Sequence, residues 1–221
     1  KKISIPSSVT KIGELAFGFW GRLSEIIIPK DSKINQIDDY AFSYSGIEEI
    51  SIPSQVTKIC KKVFSSCTKL HHVNFPLNSK IESFEEESFN DSGIEEITIP
   101  IHLKKICKCS FSFCSKLKKI NIPNNSELQT IEKSILFHTN VEKISIPSSL
   151  VDIKKGSFCG MINLKEIEIS PNNPLFSFYQ NKFIVGKSSI ESENFDILVF
   201  CIPNVCSVSI PSFITVIGTY A

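Results

Sequence analysis

Residues 50–72 read ISIPSQVTKICKKVFSSCTKLHH, and the stretch before them, residues 26–49, reads IIIPKDSKINQIDDYAFSYSGIEE. Both open on an apolar phrase closed by proline and run through a Val-x-x-Ile or equivalent pair to an aromatic residue. Working outward, the closing prolines fall at Pro6, Pro29, Pro53, Pro76, Pro100, Pro123 and Pro147, with gaps alternating between 23 and 24. Ile3, Ile50, Ile97 and Ile144 are each 47 residues apart, as are Ile26, Val73, Ile120 and Ile167. Two alternating repeat types therefore make a 47-residue pair. An even copy carries two extra residues before its aromatic position and one fewer after it. The positions Phe17, Phe42, Phe64, Phe89, Phe111, Leu136 and Phe158 follow that rule throughout.

A 20–29-residue period built from short apolar strands is the signature of a leucine-rich-repeat solenoid. Along Glu49-Ile50-Ser51-Ile52, alternation sends Ile50 and Ile52 to one face and Glu49 and Ser51 to the other. Stacked copies then give a parallel sheet with the Ile pairs inside and the polar pairs along the inner surface of the curve. Proline lacks an N–H and stops the ladder at the strand end. Val56, Ile59 and Phe64 supply the opposite wall. One copy buries little alone, so stability is a sum over stacked units.

At these residues a resemblance becomes specific. The pattern Ile-x-Ile-Pro-x-x-Val-x-x-Ile followed by Ala-Phe-x-x-Cys-x-x-Leu resembles the BspA-like leucine-rich repeat, with Ala16-Phe17, Ala41-Phe42, Cys67 with Leu70, and Cys114 with Leu117 as matching points. The resemblance implies an α/β-type, mostly β, right-handed curved solenoid with its parallel sheet on the concave face. It also implies a short β-hairpin island near the C-terminus. The copies run 3–25, 26–49, 50–72, 73–96, 97–119, 120–143 and 144–166. An irregular copy with the island covers 167–207 and a truncated copy 208–221, all in a single domain. Neither end shows a capping element, so the chain is expected to be a segment of a longer protein. Within the island, strands are expected near Lys182–Val185 and Ile197–Phe200, after a turn at Pro171-Asn172-Asn173-Pro174.

Composition narrows the function. Lys+Arg 24 against Asp+Glu 23 leaves a formal charge of +1, which gives no footprint for nucleic acid. The longest aliphatic run, Ile26-Ile27-Ile28, is far shorter than a membrane span, so this segment is not expected to insert in a membrane. There is no Gly-rich phosphate loop, G-x-S-x-G or H-E-x-x-H, and no enzyme activity or cofactor is expected.

Eight cysteines invite three readings. Cys67 and Cys114 share a repeat phase with Trp20 and Met161, which marks that slot as a buried apolar one. Cys60 and Cys107 share another. Same-phase pairs lie two copies apart, about 10 Å along the stack, beyond the roughly 7 Å a disulfide tolerates. Free, packed thiols are expected, with Cys201 and Cys206 the least constrained. Cys107-x-Cys109-x4-Cys114 lacks paired metal-ligand spacing. The His71-His72 tandem and the Glu85-Glu86-Glu87 run read as solvated surface.

The informative positions are those facing out from the sheet: Glu49, Ser51, His72, Asn74, Glu96, Thr98, Lys119, Asn121, Lys143 and Ser145. The row is acidic first and basic at Lys118, Lys119 and Lys143. A protein or glycan ligand on this concave face is the expected partner. The resemblance implies cell-surface adhesion; unpaired thiols favour the alternative, an intracellular protein-interaction scaffold. The sequons at Asn90 and Asn124 are candidate glycosylation acceptors of an exported protein.

Overall fold

The computed structural model describes residues 1–203, 209–219 and 221. Its longer strands are β1 (Lys2–Ser4), β3 (Glu25–Ile27), β5 (Glu49–Ser51), β7 (His72–Asn74), β9 (Glu96–Thr98), β11 (Lys119–Asn121), β13 (Lys143–Ile146) and β15 (Glu166–Ile169). Two-residue strands alternate with them: β2 (Lys11–Ile12), β4 (Gln36–Ile37), β6 (Lys58–Ile59), β8 (Ser83–Phe84), β10 (Lys105–Ile106), β12 (Thr130–Ile131) and β14 (Asp152–Ile153). The chain is a β-solenoid of parallel strands with a core between the two strand series. Ile50, Val73, Ile97, Ile120, Ile144 and Ile167 are all buried, as alternation requires.

No helix occurs among the described residues, so the α/β-type description is corrected to all-β. The cause is local. Six return stretches carry two non-glycine residues with positive φ, such as Tyr40 (59°) and Tyr44 (58°), or Lys62 (54°) and Ser66 (56°), and the seventh carries Gly156 (75°) and Gly160 (74°). A left-handed residue every four positions cannot continue a right-handed helix. Such conformations cost of order 1 kcal/mol each and persist only where the surroundings over-determine them. Here each strained residue donates its N–H to the next copy: Tyr40 to the Lys61 carbonyl at 3.0 Å, Tyr44 to Ser65 at 2.9 Å and Ser66 to Asn90 at 2.8 Å.

Behind these turns the aromatic ladder packs ring on ring. Phe17, Phe42, Phe64, Phe89 and Phe111 stack at centroid spacings of 5.4, 5.5, 5.3 and 5.2 Å. Leu136 replaces a ring, and Phe158 then meets Phe200, 5.2 Å away. Trp20 shares the phase of buried Cys67, Cys114 and Met161 and is 46% exposed in the first described copy.

The sheet made by the longer strands is not continuous. β1 and β3 pair over three residues, as do β5 with β7 and β9 with β11, while β13 and β15 pair over four. Between these couplets pairing lapses. β3 joins β5 through Glu25 and Glu49 alone, and no ladder joins β7 to β9 or β11 to β13. The Ile52 and Ile99 amides donate to Asn74 and Asn121 carbonyls, each at 2.9 Å. Among the described residues, Ile28, Phe75 and Ile122 make no matching bond to the next copy. The 47-residue sequence pair is thus a physical couplet. Gly46 and Gly93, also 47 apart, sit where a Cβ would collide with the carbonyls of Gly21 and Thr68.

At the C-terminal end β16 (Phe176–Tyr179), β17 (Phe183–Gly186) and β18 (Ile197–Cys201) pair antiparallel, and β19 (Val216–Ile217) adds parallel to β18. β16 has no counterpart among the expected strands. Buried Asn173 places it: its Nδ2 donates to the Pro147 and Leu150 carbonyls at 2.8 and 2.9 Å. Its Oδ1 accepts from the Leu175 and Phe176 amides at 3.0 and 2.8 Å.

Candidate functional site

The residues singled out from sequence lie in one row across the longer strands. Glu49, Ser51, His72, Asn74, Glu96, Thr98, Lys119 and Lys143 are exposed, and Asn121 and Ser145 are half-buried. Side-chain bonds cross strands within couplets. Asn74 Nδ2 donates to Ser51 Oγ at 3.3 Å, and Asn121 Nδ2 to Thr98 Oγ1 at 3.4 Å. Ser145 Oγ donates to Glu168 at 3.5 Å.

Between couplets the face opens into clefts at matching repeat positions. The first, at β3 and β5, has a volume of about 260 Å³ and carries Glu25, Glu49 and Ser51. The second, at β7 and β9, is about 320 Å³ and carries His72, Asn74, Glu96 and Thr98. The third, at β11 and β13, is about 670 Å³ and carries Lys118, Lys119, Asn121, Asn140, Lys143 and Ser145. All ten row residues therefore line one of the three clefts.

Ion pairing changes the charge the row presents. Glu25 is bound by Lys2 at 2.5 Å. Lys143 lies between Glu166 and Glu168, at 2.9 and 2.7 Å, and both carboxylates hold its ammonium above the usual lysine range. Glu168 is correspondingly held below the usual carboxylate range by Lys143. The row charges without such partners among the described residues are Glu49, Glu96 and Lys119.

The remaining candidates lie elsewhere. Cys67 and Cys114 are buried, their thiols pushed up to about 11 by burial; each donates to a ladder phenylalanine carbonyl at 3.0 Å. Cys107 sits 3.6 Å from a Glu85 oxygen and is pushed up to about 12, by burial first and then by Glu85. Because Cys114 turns into the core, the Cys107, Cys109 and Cys114 thiols do not converge, and no metal-holding cluster occurs among the described residues. The seven described cysteines are free; Cys206, and with it the Cys201–Cys206 pairing, lies outside the described residues. Glu85-Glu86-Glu87 is half-buried rather than solvated: Lys61 and Lys108 bind Glu86, and Lys62 binds Glu87. Asn124 is exposed in a turn and Asn90 half-buried, while the sequon hydroxyls of Ser92 and Ser126 are buried. The His102–Glu127 pair at 3.1 Å was not anticipated; its partners are 25 residues apart in neighbouring copies, a spacing no short motif covers.

Comparison with known proteins places this geometry. The profile described as "BspA type Leucine rich repeat region" matches six copies over residues 1–103 and 82–203. A leucine rich cell surface protein from Faecalibacterium prausnitzii superposes with a TM-score of 0.78 at 21% identity, covering 96% of this chain and 58% of that one. The pneumococcal vaccine antigen PcpA gives 0.69 at 23% identity, covering 99% of this chain and 51% of PcpA. A leucine-rich repeat protein from Bacteroides ovatus gives 0.61 at 28%, covering 78% of this chain and 52% of that one. The chain thus spans between half and three-fifths of these structures' lengths. No curated protein sequence matches it.

Proposed function

Given that the chain belongs to the BspA-type leucine-rich repeat family, we propose that it is a non-catalytic ligand-binding scaffold acting in adhesion at a cell surface, with its ligand on the concave face formed by the longer strands. The observation that carries this reading is the alignment of the row from Glu49 to Ser145 with three repeating clefts. A face built only to be solvated needs polar side chains but no recurring openings. Extended inner surfaces are what solenoids present to partners. Similarity to a leucine rich cell surface protein and to a vaccine antigen supports the compartment. No helix among the described residues is long and apolar enough to cross a membrane.

The test is binding of the purified chain to cultured epithelial cells. Ser51→Tyr with Thr98→Tyr fills two clefts with bulk that strands accept. Ser66→Tyr is the control on the return turns, because Tyr44 already occupies the same repeat phase. The inner pair is expected to weaken saturable binding at least tenfold, about 1.4 kcal/mol, with the control unchanged. Equal binding by wild type and the inner pair overturns the proposal.

A further inference from the structure

Resting on that reading of the face, we infer that the cleft between β11 and β13 is a seat for an acidic saccharide, whose carboxylate is held by Lys118 and Lys119. The three clefts occupy equivalent positions yet differ in charge. The first carries Glu25 and Glu49 with His72 at its edge, the second His72 and Glu96, the third Lys118, Lys119, Lys143 and Glu142. The third has at least twice the volume of either other cleft, at about 670 Å³ against 320 and 260 Å³. That is within the range of small-ligand sites, roughly 300–1,000 Å³.

The other charged groups around the third cleft are already matched. Lys143 is held by Glu166 and Glu168, and Glu142 by Lys165 at 2.7 Å. Lys118 and Lys119 have no carboxylate within ion-pair distance among the described residues. One wall therefore offers two unneutralised ammonium groups, and a ligand carboxylate complements them.

The rest of the cleft selects the body of that ligand. Half-buried Ile122 and Pro123 give it an aliphatic edge suited to the C–H face of a sugar ring. Asn121 commits one Nδ2 hydrogen to Thr98 and keeps its second N–H and its oxygen for a ligand. The Asn121 carbonyl is bound by Ile99, so alternation aims the backbone groups of Ile120 and Ile122 at β13, where no ladder receives them. Both N–H and C=O groups are on offer there. Sugar hydroxyls donate and accept, so they match such a mixed edge. A peptide would use it by adding a strand, which needs roughly 9–10 Å between β11 and β13. Their Cα atoms approach within 8 Å, so a strand does not fit between them, and a ligand reaches this edge from the open face of the cleft.

The experiment titrates the chain, by calorimetry, with a hexasaccharide of alternating glucuronate and N-acetylglucosamine and with a sialyl trisaccharide. Each is paired with its carboxyl-reduced form, and an oligoglutamate peptide is run alongside. At least one acidic saccharide is expected to bind tenfold or more tighter than its reduced form and than the peptide. Lys118→Gln with Lys119→Gln is expected to weaken it at least tenfold, and Lys61→Gln with Lys62→Gln to leave it unchanged. The inference is overturned if neither saccharide binds, if oligoglutamate binds as tightly, or if the Lys118/Lys119 variant binds like wild type. Cell binding blocked by Ser51→Tyr with Thr98→Tyr, without saccharide binding, removes this inference alone. Lysine-dependent saccharide binding with unblocked cell binding removes the adhesion reading and keeps the seat.

Discussion

Cys67 and Cys114, 47 residues apart, make the same bond: each thiol donates at 3.0 Å to the carbonyl of a ladder phenylalanine in the preceding copy, Phe42 and Phe89 respectively. Ser45 and Ser92 stand beside them at 3.5 and 3.3 Å. A cysteine here fills a core slot and adds a second hydrogen bond to a carbonyl that already accepts from the Ser45 or Ser92 amide.

Thiol reactivity follows from that placement. Cys109 and Cys159 are half-buried, so a maleimide is expected to label them at least tenfold faster than Cys67 and Cys114 in the folded chain, read by peptide mass spectrometry. The raised folded values also set a pH dependence. Burial favours the protonated thiol, so its stability contribution is complete below the unfolded value of 9.0 and is lost as pH rises through about 11. Denaturant midpoints should fall over that window, and fall less in a Cys67→Ala, Cys114→Ala variant. Uniform labelling of all four residues would contradict the packing.

Core and face should separate cleanly in stability. Phe111 is fully buried between Phe84 and Phe89, and Phe111→Ala is expected to cost roughly 3–5 kcal/mol. Ser51→Ala on the exposed row should cost under about 0.5 kcal/mol. Urea melts of the two variants measure the difference.

Asn173 closes four hydrogen bonds with one buried side chain. Asn173→Ala leaves the Leu150 carbonyl and the Leu175 and Phe176 amides unmatched, while the Pro147 carbonyl keeps its bond from the Leu150 amide; at about 1–3 kcal/mol per unmade buried group, with partial rescue by water, a loss of roughly 2–4 kcal/mol is expected. Asn173→Asp keeps only the acceptor half and should fall between the two.

Couplets should be visible in amide exchange. Ile52 and Ile99 donate across their couplets, while Ile28, Phe75 and Ile122, at the same strand-end position in even copies, face the clefts. The latter three amides are expected to exchange faster by at least tenfold. Equal protection would mean that the sheet runs unbroken.

Much of this was legible in the sequence because stacking turns a period into a contact. Phe17 to Phe111 could be aligned by spacing alone, and spacing was enough to predict their stack. Alternation likewise separated Ile50 from Ser51. What spacing could not carry was anything set by the break between copies. The even–odd alternation was readable, but its consequence, lost pairing between β11 and β13, depends on how two strands diverge in space. The salt bridges that neutralise Lys143 come from Glu166 and Glu168 on the next strand, outside the ten positions singled out from sequence.

The central claim is that binding uses the face of the longer strands. It is tested most directly by lysine acetylation footprinting of the chain free and bound to epithelial cells. Protection on binding should concentrate at Lys119 and Lys143, with Lys61, Lys62 and Lys108 on the return turns modified at the same rate in both states. Protection of Lys61, Lys62 and Lys108 with Lys119 and Lys143 unchanged would contradict the account and move the binding surface to the opposite wall.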